Sequence, residues 1–186
     1  MYQNDNSGFI DARELQLLET VRRLWMEHVF WTRLFIISAA SNLPDIRPVT
    51  DRLLRNPKDF AASLRPLYGE RVAQMFDDLL TQHLLIAADL VNAAKAGNSS
   101  LAAQKRAAWF ANADSIAGFL AGINPFWNSE TWRSMLYDHL RMTENEAVQT
   151  LNRRYAESIA QFDAIQEQAL RMADEMGYGI IRQLRL

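Results

Sequence analysis

Three histidines are the only imidazoles in this chain of 186 residues, and each stands in a row of apolar side chains at helical spacing. The first row reads Leu17, Val21, Leu24, His28, Trp31, Phe35, and the second Val72, Phe76, Leu79, His83, Ile86, Leu90. A third, Trp132, Met135, His139, Met142, carries the last histidine. Two more polar residues occupy comparable rows: Asn112 between Trp109 and Ile116, and Asp163 on the row Ile159, Asp163, Gln166, Leu170. Residues spaced alternately three and four apart keep one face of a bundle helix turned inward. Neutral imidazoles and a carboxylate gathered there suit one divalent transition ion, Zn, Fe, Mn or Ni, and helical bundles host such sites in their cores. The metal candidates are therefore His28, His83, His139 and Asp163, with Trp31 and Asn112 as candidates for lining a small-ligand pocket.

The spacing also limits the chemistry. A di-iron carboxylate centre needs Glu-x-x-His pairs that put two ligands on one helix face. Positions three and four from His28 hold Leu24, Trp25, Trp31 and Thr32, and those around His83 hold Leu79, Leu80, Ile86 and Ala87. A metal here is mononuclear, with one ligand from each helix. Height matters as well: His28, His83 and Asn112 fall near the middles of their helices, and Asp163 within about one turn of the middle of its own. His139 sits near the end of a short helix whose position the sequence does not set.

A second reading stays open beside the first. A buried His is commonly a packed, hydrogen-bonded core residue, and a polar layer can fix register in a bundle at a cost in stability. On that reading the protein is a structural or interaction module, with a homodimer through an exposed aromatic patch as one form of it. The five tryptophans, Trp25, Trp31, Trp109, Trp127 and Trp132, divide in the same way. They suit a bundle interior, and they would also suit a flat ligand such as haem with His28 or His83 as its axial ligand.

The elements that must carry these residues are helices throughout. Asp11 with Glu14 forms a capping box that opens a long helix over about 11–41, stopped by Asn42-Leu43-Pro44-Asp45. Residues 45–68 hold three prolines and short helical pieces, with Thr50 and Asn56 reading as caps. A second long helix spans about 69–96 and a third about 100–122. A short helix from Ser129 to about Met142 follows. A capping box at Thr143–Glu146 then opens the last long helix, 144–176, which Gly177 and Gly179 end. No strand-like alternation and no linker interrupts the series. The expectation is one all-α domain over 1–186: a four-helix bundle with additional short helices. The histidines stand 55 and 56 residues apart, which suggests a repeat, but the stop signals around them differ and argue against one.

Composition excludes several function classes. A net charge of −2 leaves no basic surplus for nucleic acid. Cys is absent, which removes disulfides, thiolate metal sites and cysteine nucleophiles. Glycine-rich phosphate loops and the Gly-x-Ser-x-Gly elbow are both missing. The polar start MYQNDNSGFIDARE lacks a secretory pattern, and LFIISAASNLP is too short and polar for a bilayer. A cytoplasmic protein without membrane or nucleic-acid partners is expected.

The stretches WMEHVFWTR, NLPD, RLLRNPKD, QHLLIAADLV, NADSIAGFL, INPFW, DHLRMTENEAV and QALRMADEM resemble a family of small bacterial helical-bundle proteins, some of them labelled acetylglutamate kinase. The resemblance spans nearly the whole chain. It implies a small helical fold but brings no catalytic residue or cofactor with it. An amino-acid kinase needs an α/β scaffold with glycine-rich phosphate loops, and this sequence has neither.

Overall fold

The structure, a computed structural model, describes residues 11–185. The polar start read above as lacking a secretory signal lies, over residues 1–10, outside the described residues. Six α-helices make up the described chain: α1 (Ala12–Ser41), α2 (Ile46–Leu53), α3 (Asn56–Lys95), α4 (Ser99–Ile123), α5 (Ser129–Leu151) and α6 (Tyr155–Leu184). No strand occurs among the described residues, and no helix there is long and apolar enough to cross a membrane. The fold is all-α, as the periodicity required.

Local signals explain most boundaries. Asp11 accepts from the backbone N–H groups of Arg13 and Glu14, and Glu14 answers by accepting from Asp11 N–H, so the expected capping box is complete. Asn98 and Asn128 cap α4 and α5 by accepting from Leu101 and Thr131. Within α3, Gly69 adopts φ 82°, which separates an arm of residues 56–68 from one of residues 70–95. That backbone is left-handed and favours glycine.

Several expected boundaries move. Thr50 is no cap; its hydroxyl donates to the Ile46 carbonyl inside α2. Asn56 is turned into the core, and its amide donates to the Leu24 carbonyl of α1. The Thr143–Glu146 box does not open a helix, because Thr143 and Glu146 are buried in the middle of α5. The turn comes instead at Asn152–Arg154. The last helix runs on to Leu184, because Gly177 and Gly179 are sites of close approach and not stops: a Cβ on Gly177 would meet Leu18, and one on Gly179 would meet the Trp127 indole.

The structure overturns the argument against a repeat. The chain folds as three consecutive helical hairpins: α1 with α2 and the first arm of α3, the second arm of α3 with α4, and α5 with α6. Each first helix places its His fourteen residues before a left-handed residue at the hairpin tip, Asn42 (φ 53°), Gly97 (φ 69°) or Arg153 (φ 60°). The stop signals differ because different residue types fill this one backbone position.

Burial repeats in the same register. Val21, Phe76 and Trp132 are buried seven positions before the histidines, and Trp25, Leu80 and Leu136 three before. Just after them come Val29, Leu84 and Leu140, and eight positions after come Ile36, Val91 and Ala147. The second helices bury Phe60, Ala61 and Leu64; Ile116, Ala117 and Leu120; and Met172, Ala173 and Met176 at matching positions. What repeats is volume and facing, more than identity. Packing of α4 against α3 and α5, and of α6 against α5 and α1, closes the ring around a pseudo-threefold axis. Each fully buried large side chain stabilises the assembly by about 1.5–3 kcal/mol.

Candidate functional site

The three first helices bring their histidines together on that axis. The ring centroid of His28 lies 6.4 Å from that of His83 and 5.8 Å from that of His139. All three residues are 2–3% exposed. The expected meeting of His28 and His83 is present, and His139 joins it because α5 is long enough to carry that residue to mid-bundle.

Each imidazole is held by an amide from the second helix of its own hairpin. His28 Nδ1 meets Asn56 Oδ1 at 3.1 Å, His83 Nδ1 meets Asn112 Oδ1 at 2.8 Å, and His139 Nδ1 meets Gln168 Oε1 at 3.0 Å. The amide nitrogens donate to the carbonyls of Leu24, Leu79 and Met135, each four residues before the corresponding His. This second bond decides the first. With the NH₂ group committed to a carbonyl, the amide oxygen faces the ring, and an oxygen only accepts. Every Nδ1 therefore carries the proton and every Nε2 a lone pair. An independent contact agrees: the Trp109 indole N–H, which can only donate, is bonded to His83 Nε2 at 3.1 Å.

Electrostatics keeps the rings neutral. Burial, reinforced by His139 and His83, pushes His28 down to about 3 against the pull of Asn56. Burial lowers His83 to about 4, with Asn112 opposing it, and His139 to about 4, with Gln168 opposing it. Three neutral nitrogen donors in one buried layer have the ligand chemistry of a borderline divalent ion. Among the described residues no three His, Cys, Asp or Glu side chains form a ready ligand cage. The rings stand wider than a shared ion at about 2.0–2.1 Å from each nitrogen requires, and Trp109 takes the His83 lone pair.

Toward the hairpin linkers the layer is closed by aromatics. Trp25 packs edge-on to His28 at 5.7 Å and stacks with Trp132 at 6.4 Å. Both indole nitrogens are buried without a partner. Toward the hairpin tips lies a cavity of about 160 Å³ whose walls include Trp109 and the residues one turn beyond each histidine, Thr32, Ala87 and Thr143.

Two expected site residues are elsewhere. Asp163 is exposed on α6, because the inward face of that helix is set by Ile165, Gln168, Ala169 and Met172. Trp31 is half-buried outside the layer, with the Arg52 guanidinium 4.9 Å above its ring. Asn112 is present, but as the partner of His83. Asn56 and Gln168 were missed as partners. The signal for them was the nearly constant separation of 28, 29 and 29 residues from each His to an amide.

Compared with known proteins, the chain matches no family model, no curated protein and no solved structure. The resemblance to small bacterial helical-bundle proteins therefore assigns no family.

Proposed function

We propose that this protein binds one divalent transition ion through Nε2 of His28, His83 and His139. The observation that carries the reading is the set of three amide locks. Each orients a ring, fixes its tautomer and makes its Nε2 more basic, which is what partners behind metal-bound histidines do. A bound ion of this kind supplies Lewis acidity at its open coordination position. Asp163 has no part in the site, and binding requires the rings to draw closer and the Trp109 N–H to leave His83.

The rival reading, a buried polar layer that fixes hairpin register, draws its support from that same Trp109 bond, which satisfies His83 without a metal. Metal analysis of untagged protein separates the two. About one equivalent of ion is expected after reconstitution, lost in His28→Gln with His139→Gln and kept in Asp163→Ala. Less than a tenth of an equivalent before and after reconstitution refutes the metal reading.

A further inference from the structure

A cavity lies above the histidine layer, toward the hairpin tips. Its volume of about 160 Å³ is close to the roughly 150 Å³ at which an apolar cavity accepts benzene. Small residues leave the space open: Ala147 stands where the matching positions carry Ile36 and Val91, and Ala87 and Ala88 also line it. The walls are almost wholly hydrocarbon, with Phe35 and Leu90 facing in from α1 and α3.

Two polar features break that lining. Thr32 and Thr143 occupy equivalent places one turn beyond His28 and His139. The Thr32 hydroxyl donates to the His28 carbonyl at 2.7 Å. The Thr143 hydroxyl, in a residue 5% exposed, has no partner. A buried hydroxyl left unpaired is costly, and Thr143 is one of the residues lining the cavity, so rotation about its χ1 would bring the hydroxyl to a guest's polar atom. Farther out in the wall, Arg106 is paired with Glu144 at 2.9–3.0 Å and lies 4.6 Å over the Phe110 ring. Its charge is already matched, so nothing selects for an ionic guest.

We infer that this cavity binds a small neutral molecule, of the size of a benzene ring or short alkyl chain, with one hydrogen-bonding head group directed to Thr143. The inference goes beyond the metal proposal and stands without the ion, since the cavity walls are side chains of the protein alone. Trp109 lines the same cavity and donates its N–H to His83, so a guest shares a wall with the histidine layer.

Benzyl alcohol and toluene, titrated against the full chain by ligand-observed NMR, provide the test. Both are expected to bind saturably. Thr143→Val, which keeps shape and removes the hydroxyl, weakens benzyl alcohol by about five-fold, the worth of one neutral hydrogen bond, and leaves toluene unchanged. Ala88→Phe fills the space and abolishes binding of both, with circular dichroism as the check on folding. If Ala88→Phe does not fold, the Thr143→Val comparison decides. Absence of saturable binding to the wild type, or an equal effect of Thr143→Val on both probes, overturns the inference. The titration is run on chelator-treated and zinc-reconstituted protein. Zinc retained without probe binding sinks this inference alone, and probe binding without zinc retention sinks only the metal proposal.

Discussion

Asn56 is bonded at both ends to one stretch of α1: its Nδ2 donates to the Leu24 carbonyl at 2.9 Å, and its Oδ1 accepts from His28 Nδ1 at 3.1 Å. The residue is fully buried, so neither bond can be replaced by water. Asn56→Leu keeps the volume but leaves the His28 imidazole N–H unpaired and removes the second bond to the Leu24 carbonyl. Chemical denaturation is expected to show a loss of about 2–3 kcal/mol. Asp163→Ala, on an exposed face, is expected to stay within about 0.5 kcal/mol. Equal effects of the two substitutions would contradict the placement of both residues.

On the metal proposal, Trp109 and the ion compete for the one lone pair of His83 Nε2. Trp109→Phe preserves an aromatic wall but frees His83 Nε2. If the metal proposal holds, the variant binds zinc more tightly than the wild type, by about ten-fold for a hydrogen bond worth about 1.4 kcal/mol to a buried acceptor. Competition with a chromogenic chelator measures the change; unchanged or weaker binding counts against Nε2 as the ligand atom.

Acid should unfold the protein through these rings. Each His has a folded pKa below its unfolded value near 6.5, at about 3 for His28 and about 4 for His83 and His139. Their stabilisation is thus present above pH 6.5 and lost as pH falls toward 4 and then 3. Glu146 acts in the opposite sense. Burial raises it to about 7 against the pull of Arg33, so its contribution is present below 4.5 and fades as pH rises through 7. Three groups outweigh one, and thermal melts from pH 7.5 to 4.5 should fall steadily. A flat profile over that range would contradict the neutral triad.

The Arg33–Glu146 pair ties α1 to α5, and Arg33 also donates to the Ser158 carbonyl of α6. Arg33→Met strands a buried carboxylate and is expected to cost about 3–5 kcal/mol at pH 8. The cost should shrink at pH 5.5, where Glu146 can take a proton. Glu146→Gln should be milder than Arg33→Met at pH 8, because the charge left behind is then the less buried Arg33 guanidinium, which keeps the Ser158 carbonyl and hydroxyl as acceptors. Denaturant midpoints at the two pH values check both statements.

Gly179 lies under the Trp127 indole, whose N–H donates to the Glu175 carbonyl at 3.1 Å. Gly179→Ala drives a methyl into that ring. It is expected to destabilise by about 1–3 kcal/mol although alanine is the better helix former. Stabilisation instead would mean that α6 and Trp127 are farther apart than described.

The all-α class, the long helices and the inward facing of His28, His83, His139 and Asn112 were legible in the sequence, because helical period and capping act over a few residues. The repeat was hidden by the tips, where Asn42, Gly97 and Arg153 share a backbone conformation and no chemistry. Asp163 and Gln168 are less than two turns apart on one helix, and the row drawn through Asp163 passed Gln168 by. Only the tertiary structure decided between them, because α5 and α6 pack at one rotation that buries Gln168 against His139 and leaves Asp163 outside. The same packing decided that three imidazoles share one height, since a row within a helix sets facing but not depth relative to its neighbours.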